Sequence, residues 1–259
     1  MPREEIPMHD RVLDLLERRG QQDWFSGEAL AAELGISRSS LSKHMAALRA
    51  EGNVIETMPR RGYKLISRAD PWVGDDVQKS LLTRSLGQRR WIWLKDAEST
   101  NRVAAHEALD GVEEGLVAAA RWQTEPQEGK HSWMKQAGSL NFSVIIRVNW
   151  PADRLSELTL LVQEACVAAV LAAGGPELEC RAPNYLYLNG SKVAAVLVQS
   201  QFHNSVMRWA VIGVGLNVNT PADTLDGEFA TSLYAETGRA FSITAILKNI
   251  LEELEQRIG

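Results

Sequence analysis

Ser26 to Gly52 reads SGEALAAELGISRSSLSKHMAALRAEG, and its apolar spacing decides the N-terminal fold. Ser26 offers the side-chain oxygen that a helix N-cap needs. Ala29, Leu30, Ala32 and Leu34 form a helical stripe, and Gly35 can take the left-handed conformation that stops a helix. After a short GIS turn, a second helix is predicted from Ser37. It sets Leu41, Met45 and Leu48 on one side and Arg38, Ser39, Ser42, Lys43 and Arg49 on the other. Helix, short turn, helix is the helix-turn-helix pattern.

Upstream, MHDRVLDLLERRG carries Val12, Leu13, Leu15 and Leu16 and stops at Gly20, which predicts a short amphipathic helix. Downstream, NVIETMPRRGYKLI holds two β-prone runs around the basic tip MPRRG. Three helices and a basic hairpin over residues 1–68 predict a winged helix-turn-helix. Its second helix suits a major groove, and its wing suits phosphates or the minor groove. Between residues 37 and 64, Arg38, Lys43, Arg49, Arg60, Arg61 and Lys64 stand against only Glu51 and Glu56, inside a chain of net charge −5. A local basic face matters more to DNA than net charge does. The expected contacts to a double-stranded DNA operator are Ser37, Arg38, Ser39, Ser42, Lys43, His44, Arg49, Arg60 and Arg61. One small module offers limited affinity, so a homodimer on a palindromic site is expected.

The remaining bulk properties exclude more than they assign. Hydrophobic content of 45% and charged content of 24% are ordinary for a globular protein. No run approaches ~18 consecutive apolar residues, so no membrane span is expected. The start, MPREEIPMHD, lacks the apolar run of a secretion signal, and Cys166 and Cys180 have no CxxC spacing. Both features lead to the expectation of a cytoplasmic protein with reduced thiols. The five histidines are scattered, so no metal site is expected.

Residues 69–259 begin with a linker and a short helix, then mix strands and helices. RRWIWLKD, EGLVAAARW, LNFSVIIRV and VMRWAVIGVGLNVNT read as strands. STNRVAAHEALDG, RLSELTLLVQEACVAAVLAAGG and SITAILKNILEELEQRIG read as helices, the second buried on most sides, with Ser99 or the preceding Glu98 as cap of the first and Ser242 as cap of the third. Asn189-Gly190 marks a hairpin. This order predicts an α+β domain with a mixed β-sheet covered on one face. GVGLNV starts like a dinucleotide fingerprint, but its third glycine would fall at Val218 and no helix follows.

The chain resembles the bifunctional biotin protein ligase/biotin-operon repressor family over nearly its whole length. The likeness is strongest in SGEALAAELGISRSSLSKHMAALRAEG and PRRGYKL, which match that family's winged helix and wing. In the body, ESTN (98–101) is similar to its Ser-Thr-Asn element, and GVGLNVN (213–219) to its glycine-rich strand end. SKVAAVLVQ and RAPNYLY stand where it has Lys-x-Ala-Gly and Lys-Trp-Pro-Asn-Asp segments. The resemblance implies a biotin/lipoate-ligase-like body. In such a body biotin's carboxylate attacks the α-phosphate of ATP, pyrophosphate leaves, and a lysine of a biotin carboxyl carrier protein takes the biotinyl group from biotinyl-AMP. It implies ligand contacts at Ser99, Thr100, Asn101, Gln123, Lys130, Trp133, Asn184, Gly213, Gly215 and Asn217, and catalytic roles, if the enzyme is active, for Arg181 and Lys192. Biotin or biotinyl-AMP would be the ligand, with ATP and Mg for an active enzyme. No counterpart of the family's small C-terminal barrel is expected after the last helix.

The segment QTEPQEGKHSW (123–133) occupies the place of that family's Gly-Arg-Gly-Arg-type loop. It holds one glycine, no arginine, two glutamates (Glu125, Glu128) and the cation Lys130. Two lost hydrogen bonds to charged groups, at ~1.5–3 kcal/mol each, weaken adenylate binding by roughly two to four decades. Arg181, Ala182, Tyr185 and Ala195 replace the family's lysine, tryptophan, aspartate and glycine, whereas Lys192 is kept. These departures lead to the expectation of a DNA-binding regulator with an impaired ligase-like domain. The alternative is an active ligase and repressor.

Overall fold

A computed structural model describes residues 7–18, 23–69, 74–123, 137–225 and 230–259. The chain divides into two compact units, Met1–Asp70 and Pro71–Gly259.

In the first unit, α1 (Met8–Arg18), α2 (Gly27–Leu34) and α3 (Arg38–Ala50) precede the hairpin of β1 (Val54–Met58) and β2 (Gly62–Ser67). Ser26 caps α2 by accepting from the Ala29 N–H, and Ser37 caps α3 by accepting from the Ser40 N–H. Gly35 ends α2 at φ 66°, where a side chain would be strained, and so sets the sharp turn between the two helices. Val12, Leu16, Leu30, Leu34, Leu41, Met45 and Leu48 pack together with Ile55 and Leu65 of the wing. A bridge between Phe25 and Tyr63 fastens the wing to the start of α2. The predicted winged helix is present, with its hairpin tip at residues 59–61. The expected stop at Gly20 lies outside the described residues.

The second unit starts with α4 (Gly74–Ser80). Then follow β3 (Trp91–Ala97), α5 (Thr100–Leu109), β4 (Val117–Gln123), β5 (Ser139–Ile146) and α6 (Leu155–Ala172). The chain continues through β6 (Glu179–Arg181), β7 (Tyr185–Leu188), β8 (Ser191–His203), β9 (Val206–Asn217), α7 (Leu233–Thr237) and α8 (Ile243–Ile258). The seven strands form one sheet in the order β3-β4-β5-β9-β8-β7-β6. Only β3 and β4 are parallel, joined through α5; the other neighbours are antiparallel. Asn189 (φ 50°) and Gly190 (φ 81°) make the predicted tight turn. Asn204 (φ 49°) and Ser205 (φ 62°) make a second between β8 and β9.

The mixed sheet differs from expectation in one respect: both faces carry helices. α6 and α8 cover one face over Leu140, Phe142, Val144, Val196, Val214 and Leu216. On the other, Ala104, Ala105 and Ala108 of α5 lie against Ala118, Ile145 and Val211. The run Val117–Ala120 is fully buried, and its small side chains let α5 lie close to the sheet. α6 is less buried than predicted, with Leu160 and Leu171 each 47% exposed.

Candidate functional site

In the winged unit, the outer face of α3 presents Arg38, Ser39, Ser42 and Lys43, all exposed, while His44 is half-buried. Ser37 caps the helix and its hydroxyl lies 2.9 Å from that of Ser39. Arg38 and Arg60 line a cleft of about 360 Å³ together with Ser26, Glu28, Thr57 and Tyr63. Arg60 sits at the wing tip with φ 69°, and the Arg61 guanidinium lies 5.1 Å from the centre of the Trp24 ring. Arg49 is placed differently from its neighbours. Its Nε and Nη2 donate to the Ile55 carbonyl at 3.1 and 2.8 Å, and Nη2 also donates to the Thr57 hydroxyl. That guanidinium ties α3 to β1, so the exposed cations of this face are Arg38, Lys43, Arg60 and Arg61.

In the larger unit, the sheet face under α5 becomes polar toward the helix N-terminus. Ser99 caps α5 by accepting from the Arg102 N–H. The Thr100 N–H and hydroxyl both donate to Gln123 Oε1, at 2.8 and 3.1 Å. The Ser143 hydroxyl lies 2.8 Å from Thr100 Oγ1 and 2.5 Å from Asn101 Oδ1, and Asn101 Nδ2 donates to the Leu197 carbonyl. Thr100, Asn101 and Ser143 are all buried, so each polar atom must find a partner within the fold, and here each does. Gly213 is what lets Asn101 lie so close. A Cβ at that position would stand 1.9 Å from Asn101 Oδ1.

At the end of β9, Asn217 donates to the Thr231 carbonyl and accepts from the Ser139 hydroxyl. Asn184 donates to the Val196 carbonyl at 2.7 Å, and its Oδ1 is buried without a partner among the described residues. The Lys192 ammonium rests 3.5 Å above the Tyr185 ring. Arg181 donates through Nε and Nη2 to the two carboxylate oxygens of Glu179, at 2.8 and 2.6 Å, and lies over Tyr187. The hydrogen bond from Arg181 holds the Glu179 carboxyl below its ordinary pKa, and the same contact raises that of Arg181. Both partners are exposed, so this is a surface ion pair that solvent screens. Lys130 and Trp133, with the rest of the loop from Thr124, lie outside the described residues. Among the described residues no cluster could hold a metal ion. Cys166 is buried, and burial pushes its thiol up to about 12, with the nearby Cys180 adding to the shift.

Sequence reasoning missed Asn141, Ser143 and Ser139. The alternation in β5 was the available signal. Leu140, Phe142 and Val144 point to one core, so the residues between them share the face that carries Asn101 and Gly213.

Comparison with known proteins matches an HTH domain over residues 11–64 and the biotin/lipoate A/B protein ligase family over residues 93–217. The chain is 32% identical over 253 residues to the bifunctional ligase/repressor BirA of Bacillus spizizenii, covering 95% of this chain and 77% of that protein. It is 31% identical to the protein of the same name from Bacillus subtilis, with the same coverage. Among solved structures, a mutant of the Aquifex aeolicus biotin protein ligase in complex with biotin is 26% identical. Its TM-score is 0.53, over 65% of this chain and 70% of that one.

Proposed function

The chain belongs to the family of bifunctional biotin protein ligase/repressors, and from that premise we propose that it is itself a biotin-binding ligase and DNA-binding repressor. The observation that carries the proposal is the likeness to the Bacillus ligase/repressors, which runs through both units in the same order. In the first half-reaction, a carboxylate oxygen of biotin attacks the α-phosphorus of ATP and pyrophosphate leaves. In the second, a lysine amine of a carrier protein attacks the acyl carbon, AMP leaves, and the amine sheds its proton.

Both steps bring anions together, so the site must supply preorganised positive charge and N–H donors. Within the described residues the polar wall of Thr100, Asn101, Gln123 and Ser143 is held rigid by its own hydrogen bonds. Lys192, over the Tyr185 ring, is the cation the resemblance assigns to this chemistry, and Arg181 is engaged in a surface ion pair with Glu179. The first half-reaction is therefore expected to be slow. Operator binding is proposed to use Arg38, Ser39, Ser42 and Lys43 of α3 with Arg60 and Arg61 of the wing, in a cytoplasmic homodimer.

A second reading, a regulator that binds ligand without chemistry, is favoured by one observation: residues 124–132 contain no arginine and two glutamates. Incubating the full chain with biotin, ATP, Mg and a biotin carboxyl carrier domain separates the two. ATP-dependent biotin transfer supports the ligase, and biotin binding without transfer supports the second reading.

A further inference from the structure

The hairpin of β7 and β8 carries Lys192, and its register is irregular. Tyr185 pairs with Ala195 and Leu186 with Ala194, but Tyr187 pairs with Lys192, so Val193 is an extra residue on β8. Val193 and Ala194 are consecutive, and both are buried in the core under α6 and α8. In a regular strand they would face opposite ways. This bulge therefore sets Lys192 and Ala195 on one face of the sheet, together with Tyr185 and Tyr187. Ala195 pairs in turn with Gly215 of β9, so this is the face on which Asn101 lies against Gly213.

The backbone of Lys192 is also fixed from its other side. Its carbonyl accepts from the Thr231 N–H at 2.8 Å. Glu236 ties this contact to the hairpin turn, accepting from the Thr231 hydroxyl at 2.6 Å and from Asn189 Nδ2 at 2.7 Å. What the backbone does not set is the ammonium, which ends a long flexible stem. In register Lys192 stands opposite Tyr187, yet its Nζ lies 3.5 Å from the centre of the Tyr185 ring, the diagonal neighbour. Arg181 lies over the Tyr187 ring instead, at 4.3 Å. Two cations are thus sorted over two rings, and the Lys192 stem is turned along the hairpin toward the row of Ala195 and Gly215.

We propose that Tyr185 is a positioning residue for the first half-reaction, acting through Lys192: its ring holds the ammonium where the α-phosphate of ATP gains negative charge. The inference rests on the ligase reading above. An aromatic face attracts an ammonium through its quadrupole and brings no negative charge of its own. This contact orders Lys192 without cancelling its charge, whereas a carboxylate in the same place would do both. An ordered cation counts most where charge develops, so the effect of the ring falls on kcat.

The test compares the full chain with Tyr185→Leu and Tyr185→Phe by two measurements. One is biotin-dependent release of pyrophosphate from ATP in the presence of Mg. The other is the proton NMR shift of the Lys192 methylenes, assigned by their loss in Lys192→Arg. In the wild type, the Tyr185 ring current should move those resonances upfield. Tyr185→Leu should abolish that displacement and lower kcat roughly fivefold, with KM for biotin unchanged. Tyr185→Phe keeps the ring, and should keep the displacement and hold kcat to within about twofold of wild type. Should Tyr185→Leu not fold, Tyr185→Met takes its place. The role of Tyr185 is overturned, and the ligase reading stands, if kcat is unchanged in the folded ringless variant or if Tyr185→Phe loses as much as that variant. A raised KM for biotin at unchanged kcat, or no upfield displacement in the wild type, has the same consequence. No pyrophosphate release by the wild-type protein overturns both.

Discussion

Gly213 and Gly215 lie two residues apart on β9 and face the same side, yet a methyl group acts differently at each. At Gly213 it would collide with Asn101, which cannot retreat without giving up Leu197 and Ser143. Gly213→Ala is therefore expected to cost about 2–4 kcal/mol of stability, read from urea unfolding of the full chain. Gly215→Ala should change stability by less than about 1 kcal/mol. Equal stabilities for the two variants would show that the Asn101 contact is not tight.

The same contrast holds in the winged unit. Arg49 is engaged with Ile55 and Thr57, and Lys43 is exposed. Lys43→Ala should weaken operator binding and lower the slope of log K against log salt by about 1, as loss of one phosphate contact does. Arg49→Ala should instead lower the thermal stability of this unit. A normal melting temperature with a lower salt slope in Arg49→Ala would reverse that assignment.

Among the elements, α8 is fixed at its far end by Glu255. Its carboxylate accepts from the N–H groups of Arg84, Ser85 and Leu86 at 2.6, 2.8 and 2.9 Å, and from the Ser85 hydroxyl at 3.0 Å. Partial burial alone would push this carboxyl up, but the four hydrogen bonds together hold it below its ordinary value of 4.5. A depressed folded pKa means stability that is present above about pH 4.5 and lost as pH falls through the lower folded value. Urea midpoints of the wild type should fall over that acidic range. Glu255→Gln should be less stable than wild type at pH 7 and should lose this part of the pH dependence. Parallel pH profiles for the two proteins would contradict the contact.

The elements were also the scale most legible in the sequence. Ser26, Gly35, Ser37 and Ser242 announced helix ends, and Asn189-Gly190 announced a turn, because each acts through its own backbone. Coverage of the second sheet face was not legible. The run Val117–Ala120 is apolar whichever side a helix lies on, and only tertiary packing shows α5 against it. The Asn204-Ser205 turn went unmarked since neither residue is a glycine. In the site, the Ser-Thr-Asn element was visible by resemblance, but its saturation was not. Asn141 alternates with apolar residues as in a half-exposed strand, yet β5 is buried along its whole length.

For the whole molecule, two units meet two chemistries. The winged unit carries its cations on an exposed face, in a chain whose net charge is −5, so attraction to DNA is local and falls with salt. The larger unit holds a polar wall under α5 that is fixed by its own hydrogen bonds. What separates an enzyme from a ligand-gated regulator is whether residues 123–133 and Lys192 still stabilise the adenylate well enough for transfer. The most direct measurement is biotin incorporation into the lysine of a carrier domain by the full chain, with ATP and Mg, run beside the Bacillus subtilis relative. Transfer that depends on ATP, at a rate roughly two to four decades lower for want of two charged contacts, is the predicted result. No transfer over a prolonged incubation, with biotin bound, would contradict the ligase reading and leave a regulator alone.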